Sequence, residues 1–156
     1  MRITAKVDYA VRAVVELAAV QLAAAGRVVT TAEALAARQE IPGRFLEGIL
    51  ADLRRAGLVA SQRGAEGGYW LARPAREVSV ADVIRAVEGP LADVHGAPPE
   101  EVAYPGSARE LQRVWVATRA ALRGVLERTT VADIATGALP ASVEEMAAGP
   151  DAWTRR

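Results

Sequence analysis

Residues 63–68 combine an arginine with closely spaced glycines, a pattern that can contact phosphate. Arg63 is followed by Gly64, Gly67 and Gly68, and the chain then returns to apolar residues in YWLARP. Glycine lets a backbone approach a phosphate closely, and arginine supplies a permanent cation with several hydrogen-bond donors. Two interpretations follow: a phosphate-binding nucleotide loop, or the tip of a β-hairpin.

The residues that flank the glycines favour the hairpin. A nucleotide loop needs a strand before it and a helix directly after it, so that the helix N-terminus faces the phosphate. Here residues 69–73 have a strand-like composition and end at Pro74, and residues 58–63 form a matching run. We therefore predict a hairpin over about 58–73 with Arg63 exposed at its tip.

Three helical segments precede this hairpin, predicted over about 8–25, 31–39 and 42–56. Pro42 opens the third segment, since proline fits the first turn of a helix. The apolar face of the third helix is predicted to comprise Phe45, Leu46, Ile49, Leu50 and Leu53. Its outward face carries small and polar residues, namely Gly43, Arg44, Glu47, Gly48 and Arg54.

The second half of the chain predicts an irregular loop and then a long helix. Pro98, Pro99 and Pro105 keep residues 92–106 irregular, as a loop that covers a pocket, closes on a ligand or meets a partner. A helix of about 20 residues follows, with an apolar stripe too extensive to remain in water. The stripe is a predicted dimer seam and consists of Leu111, Val114, Trp115, Thr118, Leu122, Val125 and Leu126. The alternative is packing of this stripe against the first helix of the same chain.

Helix starts are predicted where a hydroxyl residue is followed three positions later by a carboxylate. Glutamate completes the pattern at Thr30 with Glu33, Ser107 with Glu110 and Ser142 with Glu145. Aspartate replaces it at Ser79 with Asp82 and at Thr130 with Asp133. Glycines mark the ends of the helical segments. Together, the start and end signals predict six or seven helices.

Helix, helix, helix and hairpin is the element order of a winged helix–turn–helix domain, in which the third helix enters the DNA major groove and the hairpin flanks it. Residues 1–76 hold 11 Lys and Arg against 7 Asp and Glu, although the whole chain is neutral. The expected fold class is mainly α with a small β-hairpin: a winged helix–turn–helix domain plus a long C-terminal dimerisation helix. A helical domain that merely carries a hairpin is the alternative.

Composition excludes several function classes. The chain has no cysteine, so disulfides, thiol nucleophiles and cysteine-ligated iron–sulfur clusters are excluded. No apolar run approaches the ~20 residues that a bilayer span needs, and we expect a cytoplasmic protein with no membrane partner. His95 is the only histidine and no nucleophile–base pair suggests an enzyme, so we expect no catalysis, no metal and no cofactor. His95 is interpreted as an ordinary loop residue, with metal assistance or pH sensing beside Glu100 and Glu101 as the alternative.

Three blocks of sequence closely resemble one protein family. MRITAKVDYAVRA, IPGRFLEGILADLRRAGLVASQRGAEGGYWLARP and VSVADVIRAVEGP resemble the IscR, NsrR and CymR family, the Rrf-type bacterial winged-helix transcriptional regulators. The resemblance covers residues 1 to about 91 and continues more faintly through Trp115 and TTVADI. It implies a homodimer, joined by the long C-terminal helix, on a palindromic double-stranded DNA operator.

The resemblance also implies which residues contact DNA. They are Arg2, Thr4 and Lys6 at the N-terminus, Gly43, Arg44 and Glu47 on the third helix, and Arg63, Gly64, Gly67 and Gly68 in the wing. Arg44 can pair with a guanine edge and Glu47 can accept from a cytosine amino group. A surface ion pair of Glu47 with Arg54 or Arg55 is the alternative. Tyr69, Trp70 and Leu71 are expected to pack the wing onto the core.

One departure from the family limits what the resemblance implies. Cluster-binding members carry three cysteines between the fourth helix and the long helix, whereas residues 91–115 here contain none. We therefore expect a cluster-free, sequence-specific dimeric repressor that responds to an unknown small molecule or protein partner; a winged-helix adaptor for proteins is the alternative. The predicted domains are 1–78, the winged helix–turn–helix; 79–106, a helix and proline-rich sensor loop; 107–137, the dimerisation helix and a short helix; and 138–156, a tail.

Overall fold

The structure, a computed structural model, describes residues 2–154. The helices within these residues are α1 (Ala5–Ala23), α2 (Ala32–Gln39), α3 (Gly43–Arg55), α4 (Val80–Glu88), α5 (Leu111–Leu126), α6 (Val131–Thr136) and α7 (Ala141–Ala147). Strands β1 (Val59–Gln62) and β2 (Gly68–Leu71) form the antiparallel hairpin between α3 and α4. The expectation of a mainly helical chain with one small hairpin is confirmed.

Helix α1 is the centre of the core and packs against α2, α3, α4 and α6. Its apolar residues recur at helical spacing, and Ala10, Val14 and Leu17 are fully buried. Small side chains such as Ala10 allow neighbouring helices to approach closely, while Leu17 fills the space between them. Because α1 contacts the helices on either side of the hairpin, it fixes where the exposed elements lie.

The hairpin is attached to the body of the protein along a second edge. Val59 pairs with Leu71 and Gln62 with Gly68 within the hairpin, and Tyr69 of β2 forms a further bridge with Thr30. The Leu71 backbone N–H donates to Oε1 of Gln21 on α1 at 2.6 Å. These bonds hold the wing on the core, and the Leu71 and Tyr69 side chains pack there as expected. The Trp70 ring instead contacts the Arg27 guanidinium, whose carbon lies 4.3 Å from the ring centroid.

Two of the predicted helix starts are confirmed, and three are wrong. Ser79 with Asp82 and Thr130 with Asp133 form complete capping boxes at α4 and α6. Thr30 is instead buried in its bridge with Tyr69, and Thr31 caps α2 by accepting from the Ala34 backbone N–H at 3.1 Å. Ser107 lies within a 3₁₀ turn and Ser142 lies inside α7, because prolines at 105 and 140 precede these elements.

After α5 the chain returns to the core. The Val131 backbone N–H donates to the Val78 carbonyl at 2.9 Å, the Val80 N–H donates to the Thr129 carbonyl at 2.9 Å, and Val131 is fully buried. Helix α6 is therefore packed on α1, whereas no residue of α5 is buried. Helix α5 therefore lies largely outside the core that α1 organises.

Candidate nucleic-acid interface

A tight turn joins α2 to α3 and sets the angle between them. Glu40 adopts a left-handed conformation with φ 52° and ψ 43°, and Ile41 is buried. Pro42 is the extended N-cap residue of α3, one position before the first helical residue that the sequence predicted it to be. The Arg12 guanidinium of α1 donates to the carbonyl of Gln39 just before this turn. The helix–turn–helix unit is thereby attached to the central helix.

The inner and outer faces of α3 differ sharply in character. Leu46, Ile49, Leu50 and Leu53 are buried, and Gly43, Arg44, Glu47, Gly48 and Arg54 are exposed. The prediction that Phe45 belongs to the buried face is wrong, since its side chain is 50% exposed. Phe45 lies at the edge of the apolar stripe, where its ring contacts Tyr9 with centroids 6.3 Å apart.

Arg44 and Glu47 present polar groups at the exposed N-terminal half of α3. The Arg44 guanidinium carbon lies 5.1 Å from the centroid of the Phe45 ring, a cation–π contact that leaves its donors available. The alternative partners of Glu47 are engaged elsewhere, because Arg54 donates to the Ser61 hydroxyl at 3.3 Å and Arg55 to the Asp52 carboxylate at 2.8 Å. The Arg44 guanidinium and the Glu47 carboxylate therefore lie one turn apart on the exposed face of α3.

The wing glycines have steric roles that other residues could not fill. A Cβ on Gly67 would lie 2.7 Å from the Gln62 carbonyl oxygen, and one on Gly68 would lie 2.6 Å from that of Thr30. Gly64 adopts φ +107° at the start of the turn, and the Gly67 N–H closes that turn on the Gly64 carbonyl at 2.9 Å. The glycine cluster is therefore a compact hairpin tip, as the sequence predicts.

Arg63 is exposed at this tip, and within the described residues it has no hydrogen-bond or ion-pair partner. An open concavity beside it is lined by Arg63, Gly64 and Gln62 of the wing and by Thr31 and Ala32 at the start of α2. Sequence reasoning missed Thr31 and Ala32, because the pattern placed the helix cap one residue earlier. The N-terminus of α2 and Arg63 favour a phosphate group at this concavity, whereas the Glu33 carboxylate in the same lining opposes one.

The N-terminal residues have other partners. Thr4 caps α1 by accepting from the Val7 N–H at 3.2 Å, and its hydroxyl donates to the Glu88 carboxylate. Lys6 Nζ donates to the Val87 carbonyl at 2.8 Å and lies 2.7 Å from Oδ2 of Asp52. Arg2 is exposed. The resemblance implies a DNA contact for all three residues. Thr4 and Lys6 instead bond to the end of α4, and Lys6 also bonds to α3.

Asp52 is the acceptor in an ion cluster at the side of α3. Hydrogen bonds from Lys6 and then from Arg55 hold the pKa of the Asp52 carboxyl below its usual value, and they outweigh the opposite effect of its partial burial. Asp52 is therefore ionised at neutral pH. This cluster connects α3 to α1, and through Lys6 to the last turn of α4.

The predicted dimer stripe on α5 divides into two parts. Leu126 packs against the core, and Leu111, Trp115 and Thr118 line a cavity under the loop of residues 92–106. Val114 remains 52% exposed, and two further exposed residues, Ala117 and Ala121, follow it at spacings of three and seven. Leu122 and Val125 of the predicted stripe are half-buried. Val114 and the two alanines, which the prediction did not include, form an exposed apolar strip with which a second helix could pack.

The loop of residues 92–106 is tied to α5. Arg119 lies 2.6 Å from the Glu100 carboxylate, and Gln112 donates to the Glu100 carbonyl at 2.9 Å. A hydrogen bond from its own backbone N–H, together with the Arg119 guanidinium, lowers the pKa of Glu100. His95 is exposed, with φ +54°, and lines the same cavity. Within the described part of the chain, no group of three or more His, Asp and Glu side chains is arranged to hold a metal ion.

Comparison with known proteins agrees with this geometry. The Rrf2 family model, described as an iron-dependent transcriptional regulator, matches residues 3–137. A Mycobacterium tuberculosis protein, provisionally named as an HTH-type transcriptional regulator, is 52% identical over 147 residues, which cover 94% of this chain and 89% of that protein. The HTH-type transcriptional regulator CymR of Bacillus subtilis is 35% identical over 136 residues, which cover 87% and 91% respectively.

Solved structures of two related regulators superpose on most of this chain. The structure of B. subtilis CymR, described as the global cysteine regulator, superposes with a TM-score of 0.72 at 31% identity and covers 88% of this chain and 98% of that one. IscR of T. potens superposes with a TM-score of 0.68 at 32% identity and covers 88% of each chain. None of the helices among residues 2–154 combines the length and apolar character that crossing a bilayer requires.

Proposed function

The chain belongs to the Rrf2 family of DNA-binding transcriptional regulators, and from this premise we propose that it is a homodimeric repressor that binds a palindromic operator without an iron–sulfur cluster. The carrying observation is the exposed Arg44–Glu47 pair on α3 beside a wing whose Arg63 has no partner in the described residues. Because the bacterial chromosome lies in the cytoplasm, a protein that binds an operator would act there.

The proposed contacts divide into base and backbone contacts. Arg44 donates to the O6 and N7 acceptors of a guanine, and Glu47 accepts from a cytosine amino group in the major groove. Gly43 at the start of α3 brings the backbone close to the DNA. Arg2 and the wing, with Arg63, Gly64, Gly67 and Gly68, contact the phosphate backbone or the minor groove.

Thr4 and Lys6 have a supporting role in this proposal. Each already bonds to the last turn of α4, at Glu88 and Val87 respectively, and Lys6 also pairs with Asp52. A lysine that neutralises a carboxylate has less charge to offer a phosphate. We therefore assign both residues to positioning α3 against α1 and α4.

Iron dependence is part of the family description, and the residues of this chain do not fit a cluster. Iron–sulfur clusters are held mainly by thiolates, and the chain has no cysteine. The loop of residues 92–106 does not replace those thiolates, since Glu100 pairs with Arg119 and no three His, Asp or Glu side chains among residues 2–154 are grouped to hold a metal ion. The proposed regulator therefore takes its signal from a small molecule or a protein partner.

The exposed strip of α5, with Val114, Ala117 and Ala121, is the proposed dimer contact. Two such helices, packed on each other, would bury an apolar surface that a monomer leaves in water. Two copies of α3 would then reach major-groove faces about 10 base pairs apart or a multiple of that distance.

The test is genome-wide selection of binding sites. Purified, metal-free protein is incubated with sheared DNA from its source, the retained fragments are sequenced, and the selection is repeated at higher salt. We expect a few palindromic sites whose recovery falls with salt, and loss of those sites for the Arg44→Ala, Glu47→Ala double variant. A promoter reporter carrying a recovered site should be less active when the protein is present. Recovery of no specific site, with capture of a protein partner instead, would favour the adaptor.

A further inference from the structure

A cavity of about 440 Å³ lies between α5 and the loop of residues 92–106. Apolar and aromatic groups form most of its wall, including Val94, Pro99, Leu111 and Trp115. Sites for small organic molecules commonly have this size and this lining, with a few polar groups that fix the orientation of the ligand.

The wall of the cavity is held in place by defined contacts. Val94 and Ala97 exchange backbone hydrogen bonds of 2.9 and 3.1 Å, which close a turn at the cavity edge. The Glu100–Arg119 ion pair holds the other end of the loop on α5, and the Arg119 side chain is only 15% exposed. The cavity therefore needs little reorganisation before it can accept a ligand.

Three polar side chains offer hydrogen bonds to a ligand in this cavity. Trp115 Nε1 donates to the Tyr104 hydroxyl at 3.1 Å, so the tyrosine oxygen acts as an acceptor and its own proton remains available. The His95 imidazole and the Asp93 carboxylate lie in the same wall. The rings of Trp115 and Tyr104 also supply faces on which a planar group can stack.

The charges around the cavity limit the class of ligand. No lysine or arginine is among the lining residues, and Asp93 contributes a carboxylate. The cationic groups nearby, Arg85, Arg119 and Arg123, line a separate cavity that shares Ala92 and Asp93 with the first. A negatively charged ligand would lose its hydration without gaining a cationic partner.

We propose that this cavity binds a small aromatic effector, neutral or positively charged, with at least one hydrogen-bonding group. The effector role rests on the proposed function, because it requires a change in operator affinity. The covering loop follows Leu91, a core residue three positions after Glu88 at the end of α4. Lys6 connects that end of α4 to Asp52 on α3, so movement of the loop acts on the helix proposed to contact bases.

Tryptophan fluorine NMR tests binding without any DNA. The chain has three tryptophans, and only Trp115 lines the cavity. Trp70 lies in β2 of the wing, with the Arg27 guanidinium over its ring, and Trp153 donates to the Ala147 carbonyl. Protein labelled with 5-fluorotryptophan is titrated with naphthalene-2-methanol, naphthalene-2-methylamine and 2-naphthoate, which share one ring system. The Trp115 resonance is assigned with the Trp115→Phe variant.

We expect saturable shifts of the Trp115 resonance with the alcohol and the amine, and binding weaker by about tenfold or more for the carboxylate. Ala92→Phe should abolish the shifts by filling the cavity, whereas Ala103→Phe, the same change in the same loop but outside the lining, should preserve them. The absence of a saturable Trp115 shift, equal binding of the carboxylate, or normal binding by Ala92→Phe would overturn the site.

The effector role has a separate readout. Operator affinity is measured with and without a saturating concentration of the tightest probe, in the unmodified chain and in Ala92→Phe. We expect a change in affinity of at least several-fold in the unmodified chain alone. Probe binding with unchanged operator affinity would overturn the effector role and leave the cavity as a binding site. If the protein binds no operator, the proposed function fails, and the NMR titration still decides whether the cavity binds these molecules.

Discussion

Lys6 of α1 and Asp52 of α3 form an ion pair in which Nζ lies 2.7 Å from the carboxylate oxygen. The same ammonium group donates to the Val87 carbonyl of α4, so one side chain joins three helices. Lys6 is the only lysine in the sequence. Its position makes the orientation of α3 dependent on a contact between residues 46 positions apart.

The first prediction concerns the structural role of Lys6. Lys6→Met keeps the apolar stem and removes the ammonium group, and we expect a loss of about 1 kcal/mol in the free energy of unfolding, measured with urea. The salt dependence of operator binding should be unchanged. A fall of about 1 in the slope of log affinity against log salt would instead identify Lys6 as a phosphate contact. Asp52→Asn is the partner variant, and the two losses should be less than additive.

The second prediction is a pH dependence of stability at Asp52. The pKa of this carboxyl is lowered in the folded state by Lys6 and Arg55, so its contribution is present above the unfolded pKa of about 3.9 and is lost as pH falls through the folded pKa. The difference in unfolding free energy between the unmodified chain and Asp52→Asn should be constant near neutral pH and shrink below about pH 4. Urea titrations at several pH values measure it. A difference that grows as pH falls would contradict the assigned direction.

The third prediction concerns the wing. Arg63→Ala should weaken operator binding and lower the salt slope by about 1, because a cation next to a phosphate releases a counterion. The free energy of unfolding should not change, since Arg63 is exposed. Arg109→Ala removes another exposed arginine, located before α5, and serves as the matched control. Equal binding by both variants would remove Arg63 from the interface.

The fourth prediction tests the dimer contact on α5. Ala121→Glu places a charge in the exposed apolar strip, and we expect it to shift the protein to monomers in sedimentation experiments because burying an unpaired carboxylate is costly. Ala120→Glu is the same change one residue away, on a different face of the helix beside Arg123. If Ala120→Glu dissociates the dimer and Ala121→Glu does not, the dimer contact lies on that other face.

The fifth prediction concerns the close approach of the wing to Thr30. Gly68→Ala would bring a Cβ to 2.6 Å from a backbone oxygen, and we expect a loss of about 1–3 kcal/mol in the free energy of unfolding. Gly43→Ala is the matched control, because nothing lies within 4 Å of a Cβ at that position. Thermal or urea unfolding measures both. Equal stability of the two variants would show that the Thr30 bridge is dispensable.

Local patterns predicted the elements better than their boundaries and faces. The hairpin was predictable because Gly64, Gly67 and Gly68 separate two strand-like runs. The cap at Thr30 was not, because the Tyr69 bridge that buries this threonine depends on a strand almost 40 residues later. Phe45 fits an apolar period, yet it lies at the edge of the stripe, where the core ends.

The α5 stripe shows the same distinction. The sequence predicted its apolar spacing correctly, and the spacing alone could not separate Trp115, which lines a cavity, from Val114, which faces outward. That separation depends on where the loop of residues 92–106 folds back, which Glu100 and Arg119 determine by a long-range ion pair.

Local backbone preferences and composition were enough to predict the helix–helix–helix–hairpin order, the compact glycine turn that carries Arg63 and the absence of thiolate ligands. Which polar groups remain unpaired on the surface depended on how the helices pack. Lys6 is engaged by Asp52 and Val87, while Arg63 is left exposed. These pairings arise from the packing of α1 against α3 and α4, which brings together residues that no local pattern relates.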